Sequence, residues 1–185
     1  MKRLVIMTVG KTHSGKTTFA KALEQKLQNS IVIDQDNHAE FINNFYKSLQ
    51  PKQGPNTLKY SISKTIVDYA VDHSNFHLIL CNSNRTRKAR LNLFKYFHSK
   101  GFISILVNFD IPDEVLQARV AATQRSTSIF RSAASFEEVL IRQQAESHNS
   151  EVKAPIESEA DYLFVIKNSD DVHSVSREIV KIAQE

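Results

Sequence analysis

The 185-residue sequence predicts an α/β fold in which a mainly parallel sheet carries helices on both faces. Three observations predict it. Short apolar runs alternate with amphipathic stretches from end to end, the pattern of a parallel sheet with helical crossovers. A glycine loop joins the first apolar run to the first amphipathic stretch. Hydrophobic residues make up 41% of the chain, enough for the core of one domain spanning residues 1–185.

The first strand is expected at residues 4–9. It leads into Gly10-Lys11-Thr12-His13-Ser14-Gly15-Lys16-Thr17, and residues 17–27 have the apolar spacing of a helix. Strand, G-x-x-x-x-G-K-[ST] and helix is the context a phosphate-binding loop requires. Chance gives the pattern in fewer than about one chain in a hundred of this size. The glycines let successive N–H groups face one concavity, and the helix N-terminus adds its positive end. Lys16 is expected to reach the β- and γ-phosphates, and the Thr17 hydroxyl to ligate Mg²⁺. Gly10 to Thr17, with Thr18 behind them, are therefore the candidate nucleotide-binding residues. His13 is expected to act mainly through its backbone N–H.

The second strand, at 31–33, ends in Asp34-Gln35-Asp36. Along an extended chain end the two carboxylates would share one face. Asp34, nearer the loop, is the candidate metal ligand. Asp36 is the candidate to orient or deprotonate an acceptor hydroxyl. Either can instead cap the helix expected at 38–49. A loop at 51–55 precedes a helix at 56–71, with its N-cap at Asn56 or Thr57.

The third strand, at 77–81, ends in Cys81-Asn82-Ser83-Asn84, and Arg85, Arg87, Lys88 and Arg90 follow. Asn82 cannot supply the anionic charge of an aspartate, so metal binding falls to Thr17 and Asp34. Arg87 and Arg90 share a helix face, read either as a platform for an anionic substrate or as a solvated helix start. That helix is expected at 86–100 and stops at Gly101.

The fourth strand, at 102–109, leads through Pro112 to a helix at 113–124. Arg119, Arg125 and Arg131 sit in or just before a Ser/Thr-rich stretch at 126–135, which reads as a mobile lid, about 120–135, whose guanidinium forks suit phosphate oxygens. Arg125 is the candidate to stabilise charge on the transferred group. Ser135 and Glu138 form a capping-box pattern for a helix at 135–147. The fifth strand, at 162–166, is followed by Asn168, where a loop can touch a nucleotide base. A helix at 170–183 closes the chain.

Composition excludes other classes. No apolar run reaches the roughly 18 residues of a membrane span, and no signal peptide is visible after Met1. The single cysteine, Cys81, excludes a disulfide framework, so a cytoplasmic setting is expected. The seven histidines lack metal-ligand spacing. The net charge of +4 suits an anionic substrate, yet no aromatic-rich basic stripe of the kind that stacks single strands is visible.

With these residues assembled, the chain resembles the small P-loop kinases of the nucleoside-monophosphate-kinase-like group, above all the polynucleotide kinase-like, AAA-domain small kinases. Asp110-Ile111-Pro112-Asp113-Glu114 with Arg119 is similar to the lid entry of adenylate kinases, where the arginine lies against adenine. Asp34-Gln35-Asp36 is similar to the D-x-D of shikimate and gluconate kinases, in which the first carboxylate helps with Mg²⁺ and the second meets the acceptor hydroxyl. Asn82-Ser83-Asn84 with Arg90 is similar to the D-T-N…R segment of polynucleotide kinases, with Asn82 in place of the usual aspartate. Relatives often carry a second lid arginine four residues beyond the first, where this chain has Thr123; Arg125 lies two further on.

The resemblance implies a three-layer αβα P-loop NTPase fold, a five-stranded parallel sheet ordered 2-3-1-4-5 and a small lid. It implies an ATP- and Mg²⁺-dependent kinase whose partners are the nucleotide and a hydroxyl-bearing small molecule or nucleic acid, with no membrane. The alternative reading is an ATP-binding regulator that hydrolyses ATP slowly. The Asp34/Asp36 pair favours the kinase, and Asn82 favours the regulator.

Overall fold

The computed structural model describes residues 2–185. Five strands form one parallel sheet: β1 (Leu4–Val9), β2 (Ser30–Asp34), β3 (His77–Cys81), β4 (Ile103–Phe109) and β5 (Tyr162–Ile166). Their order is β2-β3-β1-β4-β5. β1 is central, with Ile6 opposite Ile79 of β3 and Ile105 of β4. The loop after β1 therefore opens at the middle of the sheet's carboxyl edge, where folds of this kind bind ligands.

Every β1 residue is buried, which is why its sequence is a continuous apolar run. Alternation along β1 divides the core in two. Leu4 and Ile6 pack with Phe19, Leu23, Leu116, Leu140 and Ile179. These come from α1 (Lys16–Glu24), α5 (Asp113–Ala121), α6 (Phe136–Glu146) and α7 (Ser169–Ile182). Val5 and Met7 pack with Ile33, Val71, Leu80, Phe94 and Phe97 on the other face. That face is covered by α3 (Thr57–His73) and α4 (Arg87–Ser99). The remaining helix, α2 (Gln35–Phe45), starts at the tip of β2 and is followed by a 3₁₀ turn, Lys47–Leu49.

Helix ends follow their caps. Asn56 accepts from Lys59 N at 3.2 Å and starts α3. Ser135 accepts from Glu138 N at 3.2 Å and starts α6, but the Glu138 carboxylate bonds Ala134 N, so the box closes one residue early. Gly101 takes φ 78° just after α4, the left-handed stop expected of glycine. Three expected helices stop early: α1 at Glu24, α2 at Phe45 and α5 at Ala121. The second helix begins at Gln35 rather than residue 38, because Asp34 caps it, its carboxylate accepting from Asp36 N at 2.9 Å. Among the described residues, no helix is long and apolar enough to cross a membrane.

Candidate functional site

The loop between β1 and α1 requires its glycines. Gly10 has φ 154°, and a Cβ there would lie 2.9 Å from Ser14 Oγ and 3.0 Å from Phe109 Cβ. Gly15 caps α1 in the left-handed region, at φ 99°. His13, also left-handed at φ 58°, sets its ring edge-on to Phe136, with the centroids 4.7 Å apart. Burial lowers its pKa, and Arg125, Lys16 and Arg119 lower it further, which favours the neutral ring. Gly10 N donates to Ser83 O at 3.0 Å, tying the loop after β1 to the loop after β3.

Lys16 folds back over the loop. Its Nζ donates to Lys11 O at 2.5 Å and to Ser14 Oγ at 3.1 Å. Burial lowers its pKa to about 8, with the Asp36 and Asp34 carboxylates opposing the shift. Lys11 pairs with Asp113 at 2.5 Å, which links the loop to the start of α5.

Thr17 Oγ1 donates to Asp34 Oδ2 at 3.2 Å. Asp34 is buried, and its other oxygen caps α2. This hydroxyl and carboxylate are hard oxygen donors at the phosphate loop. They fit Mg²⁺, which takes one or two protein oxygens and completes its shell with phosphate and water. Cys81 Sγ lies 3.5 Å from Thr17 Oγ1. Burial and the Asp34 charge push its pKa up to about 11, so it stays a neutral thiol.

The two carboxylates do not alternate along an extended end. Asp34 closes β2 and Asp36 lies in the first turn of α2, so a strand-to-helix change separates them. Both still line one cavity of about 800 Å³, together with Lys16, Thr17, Arg119 and Arg125. The cap of α2 falls on Asp34, the residue also expected to face the metal. Asp36 Oδ2 accepts from Arg125 Nη2 at 3.1 Å. The Arg125 guanidinium lies 4.9 Å from the Phe136 ring centroid, a cation–π distance. Arg119 Nη1 donates to His13 O at 3.1 Å, and Gly10, Lys11, Thr12, His13, Ser14, Gly15, Lys16, Thr17 and Thr18 surround or form the loop beneath it. Thr18 also borders the cavity. Asn168 lies at its edge, but its side-chain oxygen accepts from Asp170 N and Asp171 N and caps α7.

Two arginine expectations are corrected. Arg90 is no platform for a substrate. It is wholly buried, with Nε and Nη2 bonded to Glu159 at 2.8 and 3.0 Å and further bonds to the carbonyls of Asn84, Arg85 and Lys153. Arg87 lies 3.3 Å from the same carboxylate, and Arg85 bonds Gln143 O on α6 and Ser147 Oγ just past its end. Arg131 points away from the loop and clasps Pro51 O and Gly54 O at 3.0 and 2.7 Å.

Residues 126–130 rest on α2. Asn43 donates to Ser128 O and Phe130 O, and Ser128 Oγ donates to Glu40. Asn82 donates to Gln35 at 2.8 Å. It stands between the main cavity and an apolar cleft of about 470 Å³ separating α3 from α4, floored by Ile33 and Leu80. An uncharged amide suits that border, where a carboxylate would meet apolar wall.

The sequence reading missed three residues at the site. Gln143 Oε1 accepts from the loop amide of Thr12 at 2.7 Å, and no motif marks it. Phe136 was read only as the start of a helix. Glu40 had a signal, since it follows Asp36 by one helical turn and both line the cavity.

This arrangement defines a P-loop α/β protein of the NTPase fold. A protein-family profile described as an AAA domain matches residues 5–150, and the chain belongs to that family. No curated protein matches it in sequence. Solved structures share the fold. Shikimate kinase from Bacteroides thetaiotaomicron aligns at 15% identity and TM-score 0.58, covering 98% of this chain and 99% of that one. The APS kinase of Mycobacterium tuberculosis, in complex with AMPPNP and APS, aligns at 16% and 0.59 over 100% of both. Chaetomium thermophilum Kti12, in complex with ADP-AlF3, aligns at 16% and 0.62 over 95% and 96%.

Proposed function

We propose that the protein is a kinase that transfers the γ-phosphoryl group of ATP to a hydroxyl acceptor, a polynucleotide 5′-hydroxyl or a small metabolite. One observation carries the reading: a single cavity brings the phosphate loop, the Thr17–Asp34 pair and the Asp36–Arg125 pair together. The loop amides and Lys16 hold the β- and γ-phosphates. Arg119 and Asn168 border the base. Thr17 and Asp34 would hold Mg²⁺, which supplies charge neutralisation on the phosphate oxygens. Asp36 accepts the acceptor's proton as its oxygen bonds to phosphorus and the bond to ADP breaks. Arg125 then neutralises charge on the phosphoryl oxygens. Its pair with Asp36 is about two-fifths exposed on each side, and pairs of that sort are worth only about 0–1 kcal/mol. Little therefore opposes its exchange onto phosphate. The stretch around 120–135 is the lid whose closure makes that exchange.

The fold is shared with proteins named as shikimate kinase and APS kinase, which supports phosphotransfer without naming the acceptor here. Asn82 at the end of β3 supports the second reading, a slow ATPase with a regulatory role. Steady-state ATP consumption is measured with Mg²⁺ alone and with a panel of polyols, nucleosides and 5′-hydroxyl oligonucleotides. Stimulation by one acceptor, with a phosphorylated product, is the expected result. Slow turnover that no acceptor stimulates would favour the regulator.

A further inference from the structure

The last turns of α2 and the residue that follows carry three exposed aromatic rings. Phe41, Phe45 and Tyr46 are 44, 71 and 46% exposed. Phe41 lies at their centre, its ring centroid 5.5 Å from Phe45 and 5.4 Å from Tyr46. In the linear sequence these residues are too few to form a stripe; one helical turn and its exit bring them together. Rings this exposed have not been used to bury apolar area inside the domain, and a contiguous patch of them marks a binding surface.

Charge identifies the partner. Residues 41–67 contain four lysines and no aspartate or glutamate. Lys47 and Lys52 are exposed just past the rings, Lys59 in the first turn of α3 is partly buried, and Arg131 clasps the intervening loop through backbone carbonyls only. Lys64 pairs with Asp68, but none of Lys47, Lys52, Lys59 and Arg131 forms an ion pair among the described residues. A protein partner would find rings ringed by one sign of charge, whereas a polyanion finds both parts complementary. Rings that stack on base faces and lysines that meet phosphates are the two components of single-strand recognition. A duplex hides its base faces and leaves the rings unused.

We propose that this face of α2, with the lysines of residues 47–59, binds single-stranded nucleic acid. Asp36 lies nine residues before Phe45 on the same helix, roughly 13 Å along its axis. A strand held on the rings is therefore within a short reach of the phosphate-loop cavity. The inference stands on the surface alone and needs no phosphotransfer.

The test uses the whole protein without nucleotide. Fluorescence anisotropy is recorded with fluorescein-labelled 12-nucleotide oligouridylate and oligothymidylate, and with a duplex of the same length. Binding to the single strands is expected, with three or four phosphates neutralised. At a slope of about −0.7 per phosphate, affinity should fall roughly 20- to 50-fold between 50 and 200 mM salt. The double variant Phe45→Ala/Tyr46→Ala should weaken binding about tenfold or more, with an unchanged circular dichroism spectrum. Lys47→Ala/Lys52→Ala should reduce the salt slope by about 1.4. The proposal is overturned by the absence of binding at 100 µM protein. Equal affinity for the duplex, or insensitivity to both double variants, overturns it too. Sedimentation decides the remaining case: a dimer that Phe45→Ala/Tyr46→Ala dissociates, with no oligonucleotide bound, assigns the face to a second copy of this chain.

Discussion

Replacing Glu159 by alanine isolates the buried clamp between α4 and the turn before β5. Arg90 and Glu159 are 0% exposed at their side chains and meet through two bonds of 2.8 and 3.0 Å. Truncating one partner of a buried pair leaves the other charged and uncompensated, at about 3–5 kcal/mol. Here the carbonyls of Asn84, Arg85 and Lys153 continue to accept from the guanidinium. That places the loss near the lower bound, about 3 kcal/mol. A chain of this size loses about 2–4 °C in Tm per kcal/mol, so Tm should fall by roughly 6–12 °C. Thermal scanning and urea unfolding measure it. The double replacement Arg90→Met with Glu159→Leu should recover part of that loss, because no fully buried charge is left unpaired, although Arg87 and the carbonyls of Asn84, Arg85 and Lys153 still lose their partners. A fall of less than 2 °C for Glu159→Ala, or a double variant no more stable than the single one, refutes this account of the pair.

The other predictions concern the cavity. Asp36→Asn should lower transfer to the true acceptor by about 10²-fold or more, the scale of a lost general base, with ATP affinity retained; Asp34→Asn should instead raise the Mg²⁺ concentration needed, and unchanged activity in both variants rules out the proposed roles. With its pKa lowered to about 8, Lys16 is charged below that pH and neutral above it in the free protein. Bound phosphate favours the charged form, so the Kd for ATP measured without Mg²⁺ should rise about tenfold from pH 7 to pH 9. Lys16→Arg should flatten that profile, and a flat profile in the parent argues against the lysine contact. Gly10→Ala should abolish nucleotide binding while the domain stays folded, because the new Cβ would meet Ser14 and Phe109 within 3.0 Å; retained binding by calorimetry contradicts the proposed backbone geometry.

The phosphate loop, the five strands and their alternation with helices were legible in the sequence. Each depends on neighbours within a few residues: glycines where φ must be positive, apolar runs where a strand is buried on both faces, and caps such as Asn56, Ser135 and Gly101. Asp34 and Asp36 were legible as a pair at a strand end, but not which of them caps α2. Which of them caps α2 depends on where the chain turns from strand to helix, and Asp34, one residue before that turn, has its oxygen beside the Asp36 amide.

Tertiary structure decided the rest. Arg85, Arg87 and Arg90 look alike in the sequence, and only packing sends Arg90 inward to Glu159, 69 residues away. Gln143 reaches the Thr12 amide across 131 residues. Arg131 finds the 51–54 loop rather than the phosphate loop. The aromatic face of α2 arises where a helix ends beside a lysine-bearing loop. Local sequence carries torsional preference and periodicity, which act over one or two turns. The partner of a charged or amide side chain is chosen by which elements the sheet order brings together, and by the cost of burying that group without one.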